Sequence, residues 1–403
     1  MELLQTLYLI IKNRFLQMKK KAFIIAYRFF DFTSGKVKIG GIQTYILDLS
    51  LLLVKMNYET EVIVMLENKK ELYGYTKYKG FSIREVFCPV NMRQTTFDSL
   101  YRSEPQSTLF VVITIDMKIK VADLKNVITI QHGISWDFPV SAMRTLYHHV
   151  KYAHIVRKII YNIREVRKFL NVSNMVCVDY NYVNWLRTFV DIPENKNVRV
   201  IPNYASNCIS EIELEEKIAT LALQPYKRIV FARRMEERRG TKLFANVVKR
   251  LKREYPDLEV TFAGDGALTE WVKNELNNVS KINFTTFECA DSINFHKNFD
   301  IAVVPTIFSE GTSLSLCEAM AAGCYPIATF VGGLSNILID GYNGSLCYPN
   351  EEDVYLKVKE ILDMPQKQFS SIVRKAYHTY KTSFSKEKWE LNWRNYIMNL
   401  ERM

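Results

Sequence analysis

An α/β protein made of two doubly wound domains is the fold class that the sequence predicts. The chain has 403 residues, more than one hydrophobic core usually organises. Short apolar segments alternate along it with amphipathic helical segments, a pattern typical of parallel sheets covered by helices on both faces. Hydrophobic residues make up 48% of the composition and charged residues 24%, so each domain can bury a sizeable core.

The first domain is predicted to span residues 1–203. Helices are expected between its strands, for example over IQTYILDLSLLLVKM after Gly40 and Gly41, where apolar residues recur at helical spacing. Residues 1–20 are predicted to form an amphipathic helix that either lies on an anionic membrane surface or packs on the first domain. The predicted strands are 22–30, 60–66, 109–115, 126–131, 175–180 and 198–203.

The second domain is predicted to span residues 204–383, after a hinge in IPNYASNCIS near residues 202–210. A last helix over 384–403 has one apolar face, and we expect it to pack back toward the first domain. The cleft between two such domains is where a ligand is expected, since open α/β sheets bind ligands outside the carboxyl ends of their strands. The predicted strands are 228–232, 259–266, 282–287, 301–306 and 325–330.

Charge and composition narrow the classes of partner. Lys and Arg number 54 against 43 Asp and Glu, a net charge of +11 that favours an anionic partner. No helix-turn-helix or RNA-binding strand pattern is visible, so no nucleic acid is expected. The apolar runs are too short to cross a bilayer, which predicts a cytoplasmic protein, peripheral on the membrane at most. Seven scattered cysteines are expected to be reduced thiols.

The segment FSEGTSLSLCEAMAAG, residues 308–323, follows a predicted buried strand and begins a predicted helix. Gly311, Thr312 and Ser313 then lie at the amino end of that helix, where unpaired backbone N–H groups hold phosphate well. Two carboxylates, Glu310 and Glu318, would repel a phosphate unless hydroxyl groups are their partners. A nucleotide sugar supplies hydroxyls on both sides of its diphosphate, which makes it the ligand that this segment favours.

The second half resembles the retaining glycosyltransferases of family 4, which have the GT-B fold. The resemblance depends on Glu310 and Glu318, which have seven residues between them, on the following AMAAG, and on VGGLSNILIDGYNGSLCYP further on. The segment FARRMEERRG, residues 231–240, resembles the family's diphosphate-binding stretch, although Arg233 replaces a glycine there. That arginine either adds a phosphate contact or points to solvent. Asn336 and Tyr325-Pro326 also depart from the family pattern.

The resemblance implies the roles of individual residues. Glu310 would bind hydroxyls of the donor sugar, Glu318 the ribose hydroxyls, and His132, in TIQHGISWD, the donor sugar from the first domain. Arg234 and Arg239 would grip the diphosphate. The implied catalytic residues are therefore His132, Glu310, Arg234 and Arg239, and the implied donor-binding residues are Gly40, Gly41, Gly311, Thr312, Ser313, Leu314 and Glu318.

The implied reaction moves a sugar from a nucleoside diphosphate sugar to a hydroxyl of a glycan or lipid-linked oligosaccharide, with retention at the anomeric carbon. A front-face route is expected, in which the leaving phosphate helps to deprotonate the acceptor. No cofactor or metal is expected, because the chain has no Asp-x-Asp and His148, His149 and His154 lie without cysteine on a predicted helix.

Assembly of O-antigen, capsule or another bacterial surface polysaccharide, at the inner face of the membrane, is the setting that the resemblance implies. Two alternatives stay open: an inactive scaffold and a membrane-surface binding protein. A dinucleotide-dependent oxidoreductase is disfavoured because AGDGAL, residues 263–268, lacks the third glycine of its motif.

Overall fold

The computed structural model describes residues 20–29, 41–69, 74, 77–134, 137, 153–221 and 227–402. Residues 1–19, with the predicted N-terminal helix, and Gly40 lie outside this range. Within it, two separate sheets each have their own hydrophobic core, and helices cover both sheets. The α/β class and the two parallel-sheet domains are therefore confirmed.

The first sheet has the strand order β3-β4-β2-β1-β5-β6-β7-β8 and is parallel except for the β3-β4 pair. All predicted strands of this half are present, while the two-residue β3 and β4 in FSIREVF were missed. The strands are β1 (Lys20–Ala26), β2 (Tyr58–Leu66), β3 (Lys77–Tyr78), β4 (Phe81–Phe87), β5 (Leu109–Val112), β6 (Val127–Gln131), β7 (Asn174–Cys177) and β8 (Asn197–Val200), and the helices are α1 (Gly41–Lys55), α2 (Arg93–Ser103), α3 (Ala153–Leu170) and α4 (Tyr180–Arg187).

The second sheet has the order β11-β10-β9-β12-β13-β14 and all its pairs are parallel. The predicted strands are again present, and only β14 was missed, because three residues are too few to show a pattern. The strands are β9 (Ile229–Ala232), β10 (Val260–Ala263), β11 (Ile282–Thr285), β12 (Ile301–Val304), β13 (Tyr325–Thr329) and β14 (Ser345–Cys347), and the helices are α5 (Glu211–Leu221), α6 (Thr241–Glu254), α7 (Thr269–Glu275), α8 (Ser292–His296), α9 (Leu314–Ala321), α10 (Glu351–Leu362), α11 (Gln366–Thr379) and α12 (Lys386–Leu400).

The last helix, α12, packs on the core of the first domain although it follows the second domain in sequence. Trp389 and Trp393 are buried there, and the indole N–H of Trp393 donates to the hydroxyl of Tyr45 on α1 at 3.0 Å. Lys386, at the start of α12, pairs with the buried Asp48 of α1 at 2.6 Å. Asp48 also accepts from Tyr204 of the segment that connects the two domains. One carboxylate on α1 therefore fixes both chain segments that pass between the domains.

None of the helices in the described part of the chain combines the length and the hydropathy that crossing a bilayer would require.

Replacing Trp389 tests how much stability α12 supplies. Trp389 is 1% exposed and packs edge-on against Tyr45, so Trp389→Ala is expected to lower the free energy of unfolding by about 3–5 kcal/mol. The matched control is Leu391→Ala on the same helix, where the side chain is 48% exposed and the expected change is within about 0.5 kcal/mol. Urea unfolding measures both. Equal effects of the two substitutions would contradict this packing.

Candidate functional site

A cavity of about 530 Å³ lies between the two domains, at the carboxyl ends of their strands. Segments that follow β1, β5 and β6 line it from the first domain, and segments that follow β9, β11 and β12 line it from the second. Parallel strands end at one edge of a sheet, so short polar loops from each domain meet in the same place. The predicted position of the ligand cleft agrees with this cavity.

Glycines bring the backbones of the two domains into contact beside the cavity. A Cβ atom on Gly133, whose φ is +96°, would lie 2.8 Å from the backbone nitrogen of Gly311. A Cβ on Gly333 would lie 2.8 Å from the carbonyl of Gly311, and one on Gly311 would lie 2.8 Å from the side chain of Val178. A side chain at any of these positions would push the loops apart. We call this contact of Gly133, Gly311 and Gly333 the glycine seam.

Glu310 lies next to the seam and is held by two arginines. Its carboxylate accepts from Arg233 at 2.9 and 3.1 Å, from Arg239, and from the hydroxyl of Thr306 at 3.0 Å. Burial alone would raise the pKa of Glu310, but the charges of Arg233 and Arg239 outweigh it and lower the pKa to about 2. Glu310 is therefore a permanently charged carboxylate at neutral pH.

Arg233 is buried, so the solvent-exposed alternative is wrong, whereas a phosphate contact stays a prediction for a side chain that lines the cavity. Besides binding Glu310, it donates to the hydroxyl of Thr306 at 2.6 Å. Burial lowers its pKa to about 10, against the opposing effect of Glu310, and it stays protonated at neutral pH. Replacing the glycine of the family pattern by arginine therefore supplies a counterion for the buried carboxylate.

Three further arginines line the cavity from the segment after β9. The side chain of Arg234 is 60% exposed and pairs with Glu236 at 3.1 Å, and Arg238 pairs with the same glutamate. Arg239 is less exposed and pairs with Glu310. Arg234 and Arg239 were singled out from the sequence, whereas Arg238 was not, because no family position matched it. The wall of the cavity on this side is strongly cationic.

Helix α9 begins at Leu314, with Ser313 as its N-cap, so its amino end lies beside Glu310. Gly311, Thr312, Ser313 and Leu314 line the cavity, as does Glu318 one turn further along the helix. The hydroxyl of Thr312 donates to the carbonyl of Val178 in the first domain, and the Thr312 carbonyl accepts from Asn203 at 2.9 Å. The side chain of Thr312 is therefore engaged in joining the domains.

Glu318 differs from Glu310 in its electrostatic surroundings. Burial raises the pKa of Glu318 to about 7, an effect that a hydrogen bond with Ser292 only partly offsets. Glu318 has no arginine partner among the contacts of the described residues. Two glutamates of one segment thus differ in pKa by several units because only one of them has cationic neighbours.

His132, from the first domain, also lines the cavity. It follows β6, and its Nε2 lies 2.8 Å from the carbonyl oxygen of Ile113. Burial lowers its pKa, so the ring is neutral at pH 7 and carries its proton on Nε2 toward that carbonyl. Nδ1 then carries a lone pair that none of the hydrogen bonds among the described residues uses. The ring packs edge-on against Tyr45, the residue that binds Trp393 of α12.

The remaining sequence-derived positions, apart from Gly40, are also placed. Gly41 starts α1 and lines the cavity, and a Cβ on it would contact Leu314 at 3.6 Å. Asn336, with its amide oxygen turned toward the first domain, accepts from the backbone N–H groups of Tyr180 and Asn181 at 3.3 Å. Tyr325 and Pro326 lie in the buried strand β13. Asn336 thus joins the two domains.

The residues that the structure describes include no group of three or more His, Cys, Asp or Glu side chains placed to share a metal ion. His148 and His149 lie outside these residues, as does the side chain of His154. The seven cysteines are all free thiols, as expected.

The pairing of Arg233 with Glu310 predicts a pH-dependent contribution to stability. The pKa of Glu310 is about 2 in the folded protein against an ordinary 4.5, so its contribution is complete above about pH 4.5 and is lost as the pH falls toward 2. Arg233→Met should lower the free energy of unfolding by about 3 kcal/mol at pH 7, and by less below about pH 4. Urea unfolding at several pH values measures this.

The control for Arg233 is its neighbour Arg234, which is mostly exposed. Arg234→Met should change stability by less than about 0.5 kcal/mol at every pH. A similar loss in both variants, or a loss in Arg233→Met that does not depend on pH, would contradict the assignment.

Comparisons with known proteins bear on this site and on the fold. Residues 226–364, which include the arginines and both glutamates, match the family model described as Glycosyl transferases group 1. An uncharacterised glycosyltransferase of Methanocaldococcus jannaschii is 31% identical over 151 residues, which cover 36% of this chain and 40% of that protein. This chain spans between 34% and 43% of the length of the curated relatives that it matches.

Solved structures match nearly the whole chain. Sucrose-phosphate synthase from Thermosynechococcus elongatus aligns over 94% of this chain and 99% of its own with a TM-score of 0.71 and 14% identity. HepE of Anabaena, solved in complex with UDP and glucose, aligns over 94% and 100% with a TM-score of 0.65 and 11% identity. The predicted GT-B architecture is confirmed: this chain has the GT-B fold, with a region over residues 226–364 that is similar to the group 1 glycosyl transferases.

Proposed function

We propose that this protein is a retaining glycosyltransferase that moves a sugar from a nucleoside diphosphate sugar to a hydroxyl of a glycan or lipid-linked oligosaccharide. One observation carries the proposal. The cavity between the domains combines a charged Glu310, a wall of arginines, the amino end of α9 and a neutral His132 from the opposite domain. The match of residues 226–364 to the Glycosyl transferases group 1 model supports it.

The diphosphate of the donor would lie along the arginine wall. Arg234 and Arg238 are exposed to the cavity, and among the described residues their ion-pair partner is the partly exposed Glu236, so they can turn to a phosphate at small cost. Arg239 would bind the phosphate while it stays near Glu310. Backbone N–H groups at the start of α9, which Gly311 leaves accessible, would complete the anion site. These groups neutralise the diphosphate with residues of the chain itself.

The sugar and the ribose would lie on either side of that diphosphate. Glu310 would accept hydrogen bonds from hydroxyls of the donor sugar, and Glu318 from the ribose hydroxyls. His132 faces the sugar from the first domain, where its free Nδ1 accepts a hydrogen bond from a hydroxyl group. Positive charge develops at the anomeric carbon in the transition state. The negative charge of the buried Glu310 would lie close to that carbon and would stabilise it.

Transfer breaks the bond between the anomeric carbon and the leaving phosphate oxygen and forms a bond to the acceptor oxygen. The acceptor proton passes to the leaving phosphate, whose negative charge is balanced by Arg234, Arg239 and the amino end of α9. Attack from the face that the phosphate leaves retains the anomeric configuration. We assign no side chain as a nucleophile in a double displacement.

Synthesis of a bacterial surface polysaccharide, such as O-antigen or capsule, is the setting that we propose. It is supported by the resemblance to retaining glycosyltransferases of family 4 and by the net charge of +11, which suits an anionic membrane surface. The acceptor in such a setting is a glycan on a lipid carrier.

An inactive scaffold is the second candidate, and one observation favours it. Glu310 is already bound to Arg233, Arg239 and Thr306, so few of its acceptor positions are free for a sugar. In an enzyme, Arg239 must shift its hydrogen bond to the donor phosphate when the donor binds. In a scaffold, the three partners would stay in place and no donor would be consumed.

Glu310→Gln separates the two candidates. The amide keeps the shape but loses the charge, so we expect release of UDP or GDP from a panel of nucleotide sugars to fall about 100-fold or more. Binding of the free nucleoside diphosphate, measured by calorimetry, should change little, because the arginines remain. Glu270→Gln, on an 81% exposed side chain that does not line the cavity, is the control and should be as active as the native protein. A native protein that binds no donor and releases no diphosphate would favour the scaffold.

The pKa of Glu318 predicts the pH dependence of nucleotide binding. Since burial raises that pKa to about 7, the carboxylate that would accept from ribose hydroxyls forms only near and above neutral pH. Affinity for UDP is expected to rise about fivefold from about pH 6 to about pH 8 in the native protein. Glu318→Gln should keep only the smaller pH dependence that the UDP phosphate itself contributes. Identical pH profiles of the native protein and this variant would argue against contact with the ribose.

A further inference from the structure

Helix α3, Ala153–Leu170, exposes aliphatic side chains and buries charged ones, the reverse of an ordinary surface helix. Ile159 is 52% exposed and Ile163 is 47% exposed, although aliphatic residues of a surface helix usually face the core. The exposed aliphatic residues of this helix fall on one side of it. They are Ile155, Val156, Ile159, Ile160, Ile163 and Leu170, each between 44% and 54% exposed.

The inward side of α3 carries buried charged residues beside the core residue Phe169, and an ion pair joins it to the neighbouring segment. Arg157 and Glu165 are each 7% exposed. Lys168 pairs with Glu165 at 2.6 Å and with Asp116 of the first domain at 2.6 Å. Glu165 and Lys168 belong to the same helix, so it is the pair of Lys168 with Asp116 that ties α3 to the segment after β5. Turning the helix about its axis would break that pair and would expose Phe169, which is fully buried. The outward position of the isoleucines is therefore imposed by the contacts on the other side of the helix.

Basic residues border the exposed aliphatic side. Lys158 lies along one edge of it, and Arg164 and Arg167 lie along the other, and all three are exposed. The single acidic residue of α3 is Glu165, which faces inward and is paired. The outward surface of the helix is thus aliphatic in the middle and cationic at its edges. We call this surface, from Ile155 to Leu170, the aliphatic face of α3.

We propose that the aliphatic face of α3 docks this protein on an anionic lipid bilayer. A helix of 18 residues is about 27 Å long and can lie in the interface with its apolar side about 5–10 Å deep, while lysines and arginines reach the headgroups. The role of this docking, which is to bring the protein to a lipid-linked acceptor, rests on the proposed function. The binding itself requires no turnover.

Charge disfavours two other occupants of this face, a second copy of the chain and residues 1–19. A second copy of the chain would bring Lys158, Arg164 and Arg167 of both copies together. Residues 1–19 carry Lys12, Arg14 and Lys19 against the single acidic residue Glu2, so they too would oppose a cationic border. A better partner has an apolar interior for the aliphatic residues and negative charge for the basic border. An anionic bilayer has both, in its acyl chains and its headgroups.

The position of α3 connects this face to the candidate site. Asp116, the partner of Lys168, lines the cavity between the domains. A bilayer bound to the outward side of the helix would therefore lie one helix diameter from residues of the cavity wall, about 10 Å. A lipid-linked acceptor could reach the cavity while its lipid stays in the membrane.

Vesicle flotation with the full chain tests the proposal. The probes are vesicles of phosphatidylcholine alone and vesicles that also contain phosphatidylglycerol. We expect binding only to the second kind, weakened by salt and reduced about tenfold or more in Ile159→Ser/Ile163→Ser and in Lys158→Gln/Arg164→Gln/Arg167→Gln. The matched control, Ile212→Ser/Ile339→Ser, replaces isoleucines that are 73% and 65% exposed elsewhere and should bind like the native protein.

Thermal unfolding and UDP binding are measured on every variant, so that misfolding and loss of the donor site are seen separately. Normal vesicle binding with no donor binding would overturn the proposed function and support the docking surface. Three results would overturn the docking surface. They are no vesicle binding by the native protein, unchanged binding by the Ile159→Ser/Ile163→Ser variant, and conversion of a dimer to a monomer by that variant in size-exclusion chromatography.

Discussion

The contact of backbone with backbone at the glycine seam is the constraint on which the candidate site depends. His132 precedes Gly133 in one domain and Glu310 precedes Gly311 in the other, so contact between the glycines sets these two side chains on opposite walls of one cavity. A Cβ at the seam would separate the loops and, with them, the two walls. The parallel sheets place these loops at the carboxyl ends of their strands, facing each other. The loops can touch because glycine has no side chain.

The two glutamates that line the cavity differ in their charged neighbours. Glu310 and Glu318 belong to one strand-loop-helix segment, yet only Glu310 has two guanidinium partners. One carboxylate is ionised at any physiological pH, and the other titrates near neutrality. In the proposed reaction the first is next to the reacting carbon and the second is next to the nucleoside, where a change of protonation alters binding more than chemistry. Arg233, absent from the family pattern, strengthens this contrast.

The fold could be predicted because buried parallel strands appear as short apolar runs such as RIVFA and IAVVPT, whose bounds the structure reproduces within a few residues. Strand β4 escaped because FSIREVF mixes charged and apolar residues on a half-exposed strand. At the site, Glu310, Arg239 and His132 could be proposed from motifs. The burial of Arg233 and the engaged hydroxyl of Thr312 could not, because both depend on partners more than 70 residues away in sequence. The outward isoleucines of α3 contradict the rule of apolar-inward packing, so periodicity alone would place them inside.

The return of α12 to the first domain has a consequence for motion. The chain passes between the domains twice, near Ala205 and near Ser385, and the two passages are bonded to each other where the N–H of Ala205 donates to the carbonyl of Phe384 at 3.1 Å. Two adjacent covalent connections permit rotation about the line on which they lie, whereas sliding or twisting would shear the bond between them. A rotation about that line, which passes beside Asp48, is therefore the relative motion of the two walls that would leave the bond between the connections intact.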